Sequence, residues 1–87
     1  MAPEEISAVH APGYLRWLRE TCEAERRVDH DTVTSAGTWP AVLGGAGAAE
    51  WAVERAAASG PVTFAPTRPP GHHALRERAM GFCFVNN

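Results

Sequence analysis

The 87-residue sequence contains no lysine, a single tyrosine and two cysteines. All eight basic residues are therefore arginines, which we attribute to a compositional bias of the source genome. The two cysteines, Cys22 and Cys83, are far apart and belong to no CxxC pair. Without a secretory leader, this arrangement does not indicate a disulfide framework and favours two reduced thiols in a cytosolic chain.

Long apolar runs and strong net charge are also missing. The first ten residues contain no signal-peptide core, and no apolar stretch approaches membrane-spanning length, so we expect a soluble, cytoplasmic protein with no membrane partner. A net charge of −2 does not indicate direct binding to nucleic acid. The glycines at 44–47 form neither a GxGxxG nor a GKS/T pattern, which disfavours a phosphate-binding loop.

The length allows at most one small domain, which we assign to residues 1–87. Apolar residues make up 45% of the sequence, which is ordinary for a globular chain, but much of this content is alanine. A chain of this size buries only about 60% of the surface that its unfolded form exposes. We therefore expect marginal stability for an autonomous fold.

Two segments have the apolar periodicity of helices. The first, at 11–27, places Pro12 in its opening turn and Arg26 and Arg27 in its last turn, where cations favour the negative end of the helix dipole. We also expect a short helical turn within 3–10.

The second helix is predicted at 41–60, with Thr38 as its N-cap, Pro40 in the first turn and Gly60 as the C-cap. Its apolar stripe and its glycines are typical of a helix that lies closely on a sheet or on another helix. The stripe comprises Val42, Ala46, Ala49, Val53 and Ala57, and the glycines are Gly44, Gly45 and Gly47.

Short extended segments follow the second helix. PVTFAP at 61–66 predicts a strand, and GFCFV at 81–85 predicts a second extended segment. Helix, strand and a long loop in this order indicate an α/β fold, with the loop leaving the carboxyl end of a strand, where ligands bind in open sheets. We expect the unpartnered apolar faces of such a chain to be exposed along Phe64 and Phe84.

The long loop contains two adjacent histidines, His72 and His73. Pro69 and Pro70 fix two backbone angles, and Gly71 permits a turn that can aim both imidazoles into one pocket. Two close imidazoles disfavour double protonation, so one can serve as an acid while the other serves as a base. From these residues alone, catalysis, metal ligation and no function all remain open.

Metal ligation by these histidines requires further ligands, because a zinc site needs three or four that converge. The DHD stretch, Asp29, His30 and Asp31, offers candidates, although such a stretch in a polar loop is more typical of turn chemistry. The sequence therefore contains no complete metal site.

Two motifs resemble the signature of the histone deacetylase superfamily: RPPGHHA at 68–74 and GFCFVNN at 81–87. This group includes bacterial acetylpolyamine amidohydrolases and acetoin utilisation proteins. The upstream stretches AVHAPGYLRWLRE and DHDTVTSAGTW are also similar in order and spacing, so the resemblance covers nearly the whole chain. It implies a fragment of an arginase/deacetylase-like fold, an open parallel sheet flanked by helices.

The resemblance also implies an activity. The family is zinc-dependent and hydrolyses the acetyl amide of acetyl-lysine or acetylpolyamine-like substrates. His72 and His73 match tandem histidines that act as general base and acid without binding the metal, and His73 is expected to be the main proton carrier.

Three further positions match residues that contact the substrate in the family. Gly81 and Phe82 match a glycine and an aromatic residue that line the narrow tunnel for the acyl chain. Asp31 matches an acidic residue at the rim of that tunnel, with the nearby Asp29 as the alternative.

The family's zinc ligands and its transition-state tyrosine are expected beyond the asparagine pair that ends the sequence, and its first strand is expected before His10. The one tyrosine present, Tyr14, is predicted to lie in a helix far from the histidine motif. We therefore predict that the isolated chain is inactive and binds no catalytic zinc. A small non-catalytic binding module is the alternative, and a metal carrier using His72, His73 and the DHD stretch is a third possibility.

Overall fold

The computed structural model describes residues 2–60 and 62–86, in which three helices form. They are α1 (Pro3–Ile6), α2 (Pro12–Glu23) and α3 (Thr38–Ser59), and the two longer helices contact each other. None of the three is long and apolar enough to traverse a membrane. Over the same residues no strand forms, and the only strand-like pairings are two isolated bridges, Leu75 with Arg78 and Met80 with Cys83.

Helix α2 starts where the sequence predicts but ends early, at Glu23. Glu25 takes a left-handed conformation with φ 53°, and its amide donates to the carbonyl of Cys22 (3.0 Å) while the amide of Arg26 donates to Thr21 (3.0 Å). This pair of bonds is the Schellman closure of a helix. The two arginines predicted for the last turn therefore lie beyond the helix, and that prediction is wrong.

Helix α3 begins at Thr38, earlier than predicted, with Gly37 at the N-cap position. The hydroxyl of Thr38 accepts a hydrogen bond from the amide of Ser35 (2.8 Å) and does not cap the helix, so its predicted N-cap role is wrong. The C-cap prediction is confirmed, because Gly60 is left-handed (φ 79°) and its amide donates to Ala56 (2.9 Å).

The core lies between α1, α2, the first half of α3 and the C-terminal segment. Val42 and Ala46 of α3 are buried, whereas Val53, further along the predicted stripe, is 69% exposed. The stripe faces the core only in its first half, because the other core elements reach only that half. The core comprises Ile6, Tyr14, Leu15, Leu18, Cys22, Val42, Ala46, Ala79, Phe84 and Val85.

The predicted strand at 61–66 does not form over its described residues, and Pro61 lies outside them. The hydroxyl of Thr63 donates to the carbonyl of Ala52 in α3 (2.6 Å), which ties the segment to the helix. Phe64 is 84% exposed, as predicted. A strand needs a neighbour to pair its backbone groups, and none is present in the described part of the chain.

The prediction of an extended segment at 81–85 is also wrong, because these residues begin with a tight turn at Gly81 and Phe82. This turn reverses the chain direction, and the residues that follow it pack against α2 in the core. Phe84, predicted to be exposed, is consequently a core residue with 4% exposure.

The glycines of α3 are predicted to permit close approach of a neighbour. A Cβ added at Gly44 would meet nothing within 4 Å, so close approach is absent there. At Gly45 the nearest atom would be the Thr67 Oγ1 at 3.7 Å, an ordinary van der Waals contact. Neither position requires glycine for space.

Candidate functional site

The two histidines of the loop are the central residues of a β-turn. The amide of Ala74 donates to the carbonyl of Gly71 (3.0 Å), and both of these flanking residues are buried. His72 and His73 are exposed, with ring centroids 4.3 Å apart and ring planes at 57°. The turn therefore brings the two imidazoles together, but they lie on the exposed surface, whereas the sequence predicts that the turn aims both into one pocket.

His10, which was not among the predicted site residues, is buried and links the two ends of the segment 76–86. His10 is fully buried, with Nδ1 3.1 Å from the carbonyl of Arg76 and Nε2 2.9 Å from the amide nitrogen of Asn86. An amide can only donate, so Nε2 is the acceptor and the ring proton lies on Nδ1. His10 therefore joins residues 76 and 86. Its only signal is its place in the AVHAPGY stretch.

Asn86 also connects this segment to the histidine turn, because its side-chain amide donates to the carbonyl of Ala74 (3.0 Å). Tyr14 stacks on His10 with centroids 5.2 Å apart and donates its hydroxyl to the carbonyl of Phe84. Burial, with a smaller contribution from Cys22, raises the pKa of Tyr14 well above its usual value, so it remains a neutral donor. Tyr14 lies in α2, as predicted, and contacts the second motif through Phe84.

The GFCFV segment contributes a two-residue hairpin turn. Met80 and Cys83 exchange two backbone hydrogen bonds, of 3.0 and 2.9 Å, around Gly81 (φ 57°) and Phe82 (φ 66°). Two positive φ angles between such a pair define a type I′ turn. Glycine takes this conformation freely, whereas for phenylalanine it costs about 1–2 kcal/mol. Phe82 is 60% exposed in this turn.

His73 rests directly on Gly81. A Cβ added to Gly81 would lie 2.9 Å from Cδ2 of the imidazole and 3.1 Å from Cγ, closer than real Cβ atoms approach other atoms. The absence of a side chain therefore allows this ring position. The structure thus brings together two of the predicted site residues, one from each motif.

The two aspartates of the DHD stretch have different environments. Oδ1 of Asp29 accepts the amides of Asp31 (2.9 Å) and Thr32 (2.8 Å). The amide of Asp31 and the bonds from Thr32 lower the pKa of Asp29, and the nearby His30 adds to the effect. The carboxylate of Asp31 lies 3.3 Å from Nε2 of His30 and is 54% exposed. Asp29 therefore shapes the loop, whereas Asp31 is exposed and contacts His30.

Asp31 and Phe82 line one cleft of about 480 Å³, together with Arg68, Pro69 and Phe84. The two histidines do not line this cleft. The predicted site residues therefore form two neighbouring groups. His72 and His73 lie on the histidine turn, and Asp31 and Phe82 line the cleft. Gly81, which contacts His73 and precedes Phe82, connects the two groups.

The two cysteines are free thiols and both are buried. Cys83 is fully buried and its Sγ lies 3.4 Å from the carbonyl of Gly81. Burial, assisted by Glu23, raises the pKa of Cys22 to about 11, which keeps its thiol protonated and unreactive near neutral pH.

The described residues do not fit a catalytic zinc ion. Such an ion requires three protein ligands, and no group of three or more histidine, cysteine or acidic side chains is arranged to hold a metal in residues 2–60 and 62–86. The histidine turn and the DHD stretch in particular do not combine, so the structure gives no support to a metal carrier built from them.

The chain that forms the histidine turn and the hairpin turn at Gly81 and Phe82 matches one family over its full length. A profile for the "Histone deacetylase domain" matches residues 1–87. The chain belongs to the histone deacetylase family.

Individual relatives are similar over most of this chain but are much longer. The "Probable deacetylase" of Archaeoglobus fulgidus is 36% identical over 87 residues, 97% of this chain and 24% of the relative. "Histone deacetylase 8" of Arabidopsis thaliana is 34% identical over 86 residues, 95% and 23% respectively. The "Acetylpolyamine amidohydrolase" of Mycoplana ramosa is 40% identical over 57 residues, 66% and 17%. The chain spans about a quarter or less of the length of these relatives.

Proposed function

We propose that this chain carries the proton-transfer histidines and part of the substrate tunnel of a deacetylase that hydrolyses the acetyl amide of acetyl-lysine or acetylpolyamine-type substrates. The observation that supports this most directly is the histidine turn. His72 and His73 lie with ring centroids 4.3 Å apart on a turn whose ends are buried and hydrogen-bonded. A pair of imidazoles so close and so firmly anchored suits acid–base chemistry.

Amide hydrolysis needs a base to take a proton from the attacking water and an acid to protonate the departing amine. The two imidazoles, with ring centroids 4.3 Å apart, supply one group for each of these roles. We assign the main proton transfer to His73, because its ring is fixed against Gly81. His72 is then the electrostatic partner of His73.

We also propose that Asp31 and Phe82 contact the substrate at the cleft that they share. The exposed ring of Phe82 offers an apolar wall for the methylene chain of a lysine or polyamine, and the Asp31 carboxylate can accept a hydrogen bond from an N–H group of the ligand.

Zinc is part of this proposal as the cofactor of the complete site, as the resemblance implies. The described residues do not fit its ligand set, and the proton transfers assigned to this chain involve the histidines alone. We therefore expect the 87-residue chain by itself to show no deacetylase activity, and the activity to require a domain of the length of the relatives. Turnover by the isolated chain with added zinc, lost on His73→Ala, would contradict this expectation.

The assignment of His73 can be tested in a chimera in which this chain replaces the matching segment of the Archaeoglobus relative. We expect hydrolysis of an acetyl-lysine peptide or an acetylated diamine, with kcat lowered about 10²- to 10⁴-fold by His73→Ala. Arg19→Ala is the matched control, because the exposed Arg19 side chain pairs with Glu23 within α2. Equal loss in both variants, or no loss in the first, would refute the assignment.

A non-catalytic binding module is the second candidate. It is favoured by the contiguous buried core and by the absence of any unsatisfied buried polar side-chain atom among the described residues, both of which suit a chain that folds alone. A cooperative thermal unfolding transition of the 87-residue chain, together with an inactive but folded chimera, would support this candidate over the first.

A further inference from the structure

The amide of Phe82 needs a partner from outside its own turn. In the two-residue hairpin the flanking residues Met80 and Cys83 satisfy each other, which leaves the two central amides unpaired within the turn. Phe82 also holds a left-handed conformation that phenylalanine rarely adopts, so the turn requires stabilisation from its surroundings.

Thr32 provides that partner from a distant part of the sequence. Its side chain is fully buried, and Oγ1 accepts a hydrogen bond from the Phe82 amide at 3.1 Å. The backbone of Thr32 is held on both sides, because its amide donates to Oδ1 of Asp29 (2.8 Å) and its carbonyl accepts the amide of Val28 (2.8 Å).

Thr32 is anchored to the DHD stretch at its backbone, because its amide donates to Oδ1 of Asp29. An amide can only donate, so the hydroxyl oxygen of Thr32 is the acceptor for Phe82. Two hydrogen bonds, from the Thr32 amide to Asp29 and from the Phe82 amide to Thr32, thus connect the DHD stretch to the aromatic turn at Gly81 and Phe82.

We propose that Thr32 is a positioning residue that sets the placement of Phe82 relative to Asp31 across the substrate cleft. Asp31 is the adjacent residue in the sequence, and Phe82 is held through its amide, so one buried side chain connects both cleft-lining groups. This inference rests on the proposed function for the meaning of the cleft, but the conformational role of Thr32 can be measured without activity.

The first experiment is NMR spectroscopy of the 87-residue chain with Thr32→Val, which keeps the shape but removes the hydroxyl, and Thr32→Ser, which keeps the hydroxyl. A positive φ brings the amide proton and Hα of Phe82 close together and gives a strong nuclear Overhauser effect between them. We expect this signal in the parent chain and in Thr32→Ser. In Thr32→Val the left-handed population should fall about 5- to 30-fold, as loss of a buried hydrogen-bond partner implies.

The same substitution in a Phe82→Gly background separates positioning from general stability. Glycine takes positive φ without strain, so Thr32→Val should leave the turn intact there, as measured by slow exchange of the Cys83 amide. If Thr32→Val unfolds the chain in both backgrounds, or changes Phe82 in neither, the positioning role is refuted.

The catalytic consequence is tested in the active chimera. Thr32→Val should raise KM about 5- to 30-fold while changing kcat little, and Thr32→Ser should restore KM. A lost NMR signal with an unchanged KM would refute the role in substrate placement and leave the histidine chemistry untouched. An inactive parent chimera would instead count against the proposed function, while the NMR result on Phe82 would still decide whether Thr32 controls the turn.

Discussion

Replacing Gly81 with alanine tests the contact that joins the two motifs. Gly81 has φ 57°, and its added Cβ would lie 2.9 Å from Cδ2 of His73. The backbone conformation alone costs a residue with a Cβ about 1–2 kcal/mol. Because the overlapping atoms belong to an exposed imidazole, we expect the ring to rotate away, and the backbone cost then accounts for most of the loss in stability.

The magnitude can be separated into its two causes with a matched control. Gly60 has a similar φ of 79°, but a Cβ there would meet nothing within 4 Å. Gly60→Ala should therefore show the backbone cost without any effect on His73. For a domain of this size, 1 kcal/mol corresponds to about 4–8 °C in Tm, so both variants should unfold measurably earlier.

The assay combines thermal unfolding with NMR signals of the His73 ring in the folded chain. We expect both alanine variants to lower Tm, and only Gly81→Ala to shift the His73 ring signals and to weaken the contacts between His73 and His72. In the chimera, only Gly81→Ala should then lower kcat. Unchanged His73 signals in Gly81→Ala, or equal shifts in both variants, would refute the claim that Gly81 seats the imidazole of His73.

Two further predictions concern stability. Gly44→Ala should stabilise the chain by up to about 1 kcal/mol, seen as a higher urea midpoint, because alanine favours the helix and its Cβ meets nothing within 4 Å; a lower midpoint would show that this part of α3 is packed. The pKa of Asp29 is lowered from its usual 3.8, so its charged form contributes stability above about pH 4, and this contribution is lost as pH falls through the lowered value. Asp29→Asn should therefore reduce the fall in Tm between about pH 6 and pH 3; an unchanged fall would contradict the assignment of Asp29 to the loop.

The helices were predictable from the sequence because their signals are local. Apolar residues at helical spacing, a proline at the start of α2 and Gly60 after α3 act within one or two turns of the chain. The end of α2 was not predictable, since Glu25 closes it in a conformation that usually indicates glycine. No local pattern distinguishes that glutamate from its neighbours.

The two predicted extended segments form no strand in the described residues, for a different reason. Strand formation depends on a partner, and a short apolar run such as GFCFV carries no information about whether a partner is present. The first residue of that run permits a tight turn, and the buried hydroxyl of Thr32 stabilises Phe82 in it. The acceptor comes from a residue 50 positions away, so only the tertiary structure reveals why an aromatic residue holds a positive φ.

The placement of the candidate site follows the same logic. The motifs identify His72, His73 and Phe82, but the residues that hold them in place lie elsewhere in the sequence. His10 joins residues 76 and 86, Asn86 in turn holds the end of the histidine turn, and Thr32 holds the aromatic turn. Each of these bonds satisfies a backbone group that no helix or strand pairs, so the same contacts that stabilise an irregular segment also fix the geometry of its functional side chains. A substitution at one of these three supporting residues should therefore disturb function, through substrate binding or turnover, together with stability, whereas truncation of an exposed imidazole should lower turnover alone.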